Sequence, residues 1–120
     1  MPCELEYTDE FGLWWDSLSE AEQDDVAAVV ELLGARGAAL RFPYTSGIEG
    51  SKHRHMRELR IQHAGKPYRV LYAFDPRRNA ILLLGGKKTG DQRWYKTQIP
   101  VADRLYDQHL RELKRMGLLP

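Results

Sequence analysis

At 120 residues and a formal net charge of +1, the chain has the size of one domain with a single modest core. It has no apolar stretch near the roughly 20 residues that a membrane helix requires, and its one cysteine, Cys3, excludes an internal disulfide framework. The near-neutral total hides a division: residues 1–35 carry ten Asp/Glu and no Lys or Arg, whereas residues 36–96 carry fourteen Lys/Arg against four acids.

Such asymmetry fits a protein with one face for a polyanion, and equally fits two halves that neutralise each other through internal ion pairs. The first residues, "MPCELEYTDEF", have neither a basic nor an apolar signal region. Together with the lone cysteine they suggest a reducing, cytoplasmic setting. No Cys/His spacing suggests a structural zinc site, and no cofactor motif is present.

In chain order, "CELEYT" (3–8) alternates loosely and predicts a short strand. Thr8 or Asp9 can cap a short helix carrying Phe11, Trp14, Trp15 and Leu18. Ser19 and Glu22 have capping-box spacing, so a second helix starts there. Val26, Val29, Val30 and Leu33 follow at helical intervals, and Gly34 or Gly37 ends it. Trp14 and Trp15 read as core and flank of this acidic helical hairpin, rather than as a base-stacking platform.

Residues 38–55 show no period and read as a loop ending in the basic "SKHRHM" approach. Three extended runs come next: "MRELRIQ" (56–62), "YRVLYAF" (68–74) and "AILLLGG" (80–86). The turn-forming connections "HAGKP" and "DPRRN" imply an antiparallel meander. "KKTGDQRWYKTQ" reads as a polar loop. "IPVADRLYDQHLRELKRMG" is a helix, with Pro100 near its first turn, Leu105, His109 and Leu113 on one face, and Gly117 at its end. The predicted fold is a single α+β domain over 1–120, in the order β-α-α-β-β-β-α. Its twisted sheet is mostly antiparallel, with helices packed on one face.

Strand parity makes Arg69 conspicuous. In "YRVLYAF" the residues Tyr68, Val70, Tyr72 and Phe74 point one way, and Arg69, Leu71 and Ala73 the other. In the preceding strand Leu59 and Ile61 share a face, leaving Glu58, Arg60 and Gln62 opposite. If helices cover the apolar set, Arg69, Arg60 and Glu58 emerge together on an open face, with Lys87 and Lys88 at its edge. Guanidinium groups so placed suit a phosphodiester, because each offers paired donors to two oxygens. The competing reading is a solvated face with ordinary ion pairs, each contributing ~0–1 kcal/mol.

The ordered set "MRELRIQHAGKPYRVLYAF", "AILLLGGKKTGD" and "IPVADRLYDQHLREL" resembles the RelE/ParE toxin superfamily, in its HigB-like branch, over about residues 3–116. The resemblance implies a fold similar to that of microbial ribonucleases. It also implies an endoribonuclease that cuts messenger RNA on the ribosome without metal: a ribose 2′-hydroxyl attacks phosphorus and leaves a 2′,3′-cyclic phosphate. On this likeness Arg69 becomes a phosphate or transition-state clamp, and Lys87 or Lys88 neutralises the leaving or equatorial oxygens. Arg57, Glu58 and Arg60 fall where the family keeps basic residues. Glu58 replaces one of them as base, orienter or ion-pair partner. Tyr95 corresponds to a tyrosine used for stacking or proton transfer.

Lys52, His53, His55, His63, Arg57 and Arg93 are the further positions expected to meet RNA. Histidine titrates nearest neutrality, but loop histidines are more often surface residues, and His109 on the last helix reads as packed or capped. His53-x-His55 lacks a third ligand, so no metal site is expected. The resemblance further implies a helix-turn-helix, HigA-like antitoxin that silences the toxin, with operator DNA met only through that complex. The loop 38–55 and the basic sheet are both candidate contact surfaces. The alternatives are a ParE-like, non-enzymatic inhibitor of DNA gyrase, or a degenerate member that only binds its antitoxin.

Overall fold

Local signals place the first helices as expected. In the computed structural model, which describes residues 1–88 and 92–119, Thr8 caps α1 (Asp9–Ser17) by accepting from the Phe11 N–H at 3.0 Å. Ser19 and Glu22 form the reciprocal capping box of α2 (Glu20–Arg36), which ends at Gly37 with φ +55°. The strands are β1 (Leu5–Tyr7), β2 (Thr45–Gly47), β3 (Arg57–His63), β4 (Lys66–Phe74) and β5 (Ala80–Lys87), and α3 runs Arg93–Arg115.

The sheet order is β1-β5-β4-β3-β2. The meander β3-β4-β5 is antiparallel, as its short turns require, and β1 pairs in parallel, on β5. Ala64 and Gly65 both take positive φ in the two-residue turn between β3 and β4, matching the twist of the strands it joins. The strand β2 lies within the segment expected to be a plain loop. Three residues are too few for a period, and pairing with β3 makes them a strand.

Two further expectations are corrected. Helices cover both faces of the sheet, not one. Leu59, Ile61, Tyr68, Val70 and Tyr72 pack under α1 and α2, while Leu71, Ala73, Ile81 and Leu83 pack under α3. The strands β4 and β5 are apolar on both faces, the pattern of a sheet buried on two sides. The last helix also starts earlier than Pro100, at Arg93, so Trp94 and Tyr95 belong to its first turn rather than to a loop. Residues 89–91 of that predicted loop lie outside the described residues.

Two adjacent glycines let both helical layers approach. A Cβ on Gly85 would stand 2.4 Å from the Trp14 ring, and one on Gly86 would stand 2.6 Å from Trp94 Nε1. Successive strand residues face opposite ways, so Gly85 receives the indole of α1 and Gly86 that of α3. At the far end of α3 the buried Asp75 carboxylate accepts from Arg77 and from His109 Nε2 at 2.9 Å, tying the β4–β5 turn to the helix. Burial alone would raise the Asp75 pKa. The His109 and Arg77 hydrogen bonds outweigh it and hold the carboxyl below its ordinary value.

Candidate active site

The β3–β4 register sets Arg60 directly opposite Arg69. Two guanidinium groups facing each other across a ladder repel, and the Glu58 carboxylate on the same face relieves this. It lies 3.4 Å from Arg60 Nη1 and 3.5 Å from Arg69 Nε. Ser46 of β2 donates to Glu58 Oε2 at 2.6 Å, and the Tyr95 hydroxyl donates to Glu58 Oε1 at 2.6 Å. One carboxylate therefore gathers groups from β2, β3, β4 and α3. A cleft of about 310 Å³ opens beside it, lined by Gly47, Ile48, Glu49, Glu58, Gln92 and Tyr95.

The shared face of Arg69, Arg60 and Glu58 is as parity predicts, but the face is not open. Arg69 is 5% exposed and Glu58 4%, while Arg60 stays half-buried. The first turn of α3 is the cover: Trp94 packs on Gly86, and Gly86 pairs with Arg69 in the sheet. Arg69 Nη1 donates to the Tyr68 carbonyl at 3.0 Å, whereas its buried Nε–H has no hydrogen-bond acceptor among the described residues. Burial raises the Tyr95 pKa, and donation to Glu58 adds to the effect, so the phenol keeps its proton near neutral pH.

The two lysines part company. Lys88 stays with the cluster, its Nζ 5.8 Å from the Tyr95 ring centroid. Lys87 sits opposite Tyr68 on the α2 face, 3.5 Å from Glu22 and 5.5 Å from the Tyr68 ring. One residue of chain alternation separates them, so Lys88 lies by Tyr95 and Lys87 by Glu22.

The residues expected to meet RNA are dispersed. Lys52 and His53 both pair with Asp107 of α3, and His55 Nε2 lies 3.1 Å from the Tyr106 hydroxyl. His63 Nδ1 lies 2.6 Å from Asp25 of α2. Arg57 points to the α2 face, donating to Thr45 Oγ1 at 3.3 Å, and Arg93 begins α3. Among the described residues, no three His, Cys, Asp or Glu side chains gather as a metal set would require. Sequence reasoning missed Ser46 and Trp94. Trp94 could have been found only by knowing that the helix begins before Pro100.

Three comparisons bear on this arrangement. The family "Phage derived protein Gp49-like" matches residues 13–107. Two Mycobacterium tuberculosis proteins named as candidate toxins are similar in sequence. HigB2 is 37% identical over 103 residues, covering 84% of this chain and 51% of that protein. HigB3 is 41% identical over 92 residues, covering 76% of this chain and 79% of that protein. The chain thus spans about half the length of the first relative. The crystal structure of the isolated Escherichia coli RelE toxin aligns with a TM-score of 0.54 and 12% identity, over 78% of this chain and 93% of that one. At that identity the likeness concerns the fold.

Proposed function

The chain belongs to the Gp49-like family, within the HigB-like branch of the RelE/ParE superfamily, and from that premise we propose that it is the toxin of a type II toxin-antitoxin system, an endoribonuclease acting on messenger RNA. The observation that carries this reading is the Glu58–Arg60–Arg69–Tyr95 cluster with Ser46, built from three strands and a helix around one carboxylate. A protein that only bound a partner would have no need to bury a guanidinium and a carboxylate with a second guanidinium and a phenol gathered against them.

In the proposed reaction Glu58 accepts the proton of a ribose 2′-hydroxyl, which takes the place of Ser46 or Tyr95 on the carboxylate. The new oxygen–phosphorus bond forms as the bond to the 5′-oxygen breaks, leaving a 2′,3′-cyclic phosphate. The Arg69 Nε–H, buried and hydrogen-bonded to none of the described residues, is a donor for a phosphorane oxygen, and Arg60 supplies a second. Tyr95, kept protonated, is placed to give its proton to the leaving 5′-oxygen, with Lys88 beside it. In-line attack needs these groups in place before RNA arrives, and the shared carboxylate holds them so.

The burial of Arg69 adds a condition: RNA reaches it only when Trp94 moves off Gly86. The proposed cognate partner is a helix-turn-helix antitoxin, and the proposed working site is the ribosome. The reading is tested by expressing the chain and mapping messenger RNA 5′ ends. Wild type is expected to arrest growth and create new internal ends, while Arg69→Lys and Glu58→Gln do neither. Intact messages accompanied by broken DNA would move the target to gyrase.

A further inference from the structure

On the sheet face opposite Arg69, beyond the end of α2, lies a second concavity of about 550 Å³. This is within the 300–1,000 Å³ range of small-molecule sites. Its walls include Arg41, Arg54, Arg57, Phe42, Tyr72 and Phe74, and no Asp or Glu is among the described residues lining it. Several cations elsewhere in the molecule are matched: Lys52, Arg60, Arg69, Arg77 and Lys87 each have a carboxylate within 4 Å. Arg41 and Arg54 have none among the described residues, and Arg57 is held by a hydroxyl instead. Thr45, itself 1% exposed, accepts from Arg57 Nε at 3.3 Å, donates to the Glu58 carbonyl at 3.0 Å, and lies 2.7 Å from the Tyr72 hydroxyl. That chain of bonds fixes one guanidinium at the pocket wall while leaving its charge unanswered.

The aromatic at the rim adds the second half of a ligand. Phe42 is 70% exposed, and the Arg60 guanidinium lies 5.2 Å from its ring centroid. The strand β2 runs between the pocket and the Glu58 cluster: Thr45, Ser46 and Gly47 all line the pocket, the Ser46 hydroxyl also reaches Glu58, and Gly47 lines the Glu58 cleft as well. We propose that this pocket binds one nucleotide of a single-stranded RNA whose neighbouring phosphate lies at the Glu58 cluster, with the base on Phe42 and phosphate on Arg41, Arg54 and Arg57. The inference rests on the RNA-cleaving reading above and extends it around the β2 edge. Unpaired arginines beside an exposed ring suit a strand that carries both charge and a planar base. An acidic peptide would meet the charges and leave Phe42 unmatched.

The test titrates the full chain with a fluorescent, 2′-O-methylated RNA hexamer, which cannot be cut by 2′-hydroxyl attack. Wild type should bind it with amide shifts at Phe42, Gly47 and Arg57, and the double variant Arg41→Glu/Arg54→Glu should bind at least tenfold more weakly. Phe42→Ala should lose affinity without losing salt dependence. Equal affinity of the double variant overturns the proposal. So does saturation of the pocket by uridine monophosphate as tightly as by the hexamer, or pocket shifts produced by an acidic hexapeptide and not by RNA. The two readings fail separately. Cutting of RNA by a double variant with wild-type hexamer affinity removes the pocket alone. Hexamer bound at the pocket by a protein that never cuts RNA removes the cleavage reading alone.

Discussion

Arg69 is at once the residue most readily singled out in "YRVLYAF" and the one whose setting differs most from expectation. Parity gave its face and its neighbours Arg60 and Glu58, because alternation along a strand follows from backbone geometry. It could not give burial, which depends on where α3 begins. Removing one partner of a buried ion pair strands the other, so Arg69→Ala should destabilise the fold by about 3 kcal/mol in urea unfolding, the lower end for such pairs. The lower end applies because Glu58 keeps Tyr95 and Ser46. Arg69→Lys should recover much of that stability while RNA cleavage stays lost, since an ammonium cannot reproduce the fork of donors. A second residue-scale expectation concerns Glu22. Its hydrogen bond from Tyr68, followed by that from the Ser19 backbone, lowers its pKa from 4.5 to about 2. A depressed folded-state pKa stabilises the native state above pH 4.5 and loses that contribution as pH falls toward 2. Acid unfolding followed by circular dichroism should therefore lose part of its slope in this window when Tyr68 is replaced by Phe.

Elements were legible where a local signal fixes them and hidden where tertiary contact does. The caps Thr8 and Ser19, the period of α2 and the turn residues of the meander were readable in the sequence. The strand β2 and the first turn of α3 were not: one exists by pairing with β3, and the other begins with polar residues that resemble loop. The Gly86–Trp94 contact gives this element a test. A methyl at Gly86 would press on the indole nitrogen, which can move, so Gly86→Ala should displace Trp94 and loosen the cover over Arg69. Faster hydrogen exchange confined to the first turn of α3, with more RNA cut per unit time, is the expected outcome. The opposite end of the helix should behave as a clamp. Asp75→Ala removes the acceptor shared by Arg77 and His109, and should cost about 3 kcal/mol by the same reasoning as for any broken buried pair.

Across the whole molecule, the charge division has two outcomes rather than one. Part of it is internal neutralisation, as in the pairs from Glu22 to Lys87 and from Glu6 to Arg77. Arg41, Arg54 and Arg57, gathered at one pocket, are among the cations for which no carboxylate partner is found among the described residues. Such uncompensated cations should make RNA binding fall steeply with salt, through counterion release. The end chemistry of the cut is the most direct test of the Glu58 cluster. Purified protein is given ribosome-bound message, and the 3′ ends of the fragments are identified for wild type and for Glu58→Gln. Wild type should yield 2′,3′-cyclic phosphate ends, and the variant should yield at least a hundredfold fewer. Fragments ending in a 3′-hydroxyl, or equal cutting by the variant, would contradict the assignment of this cluster to RNA cleavage.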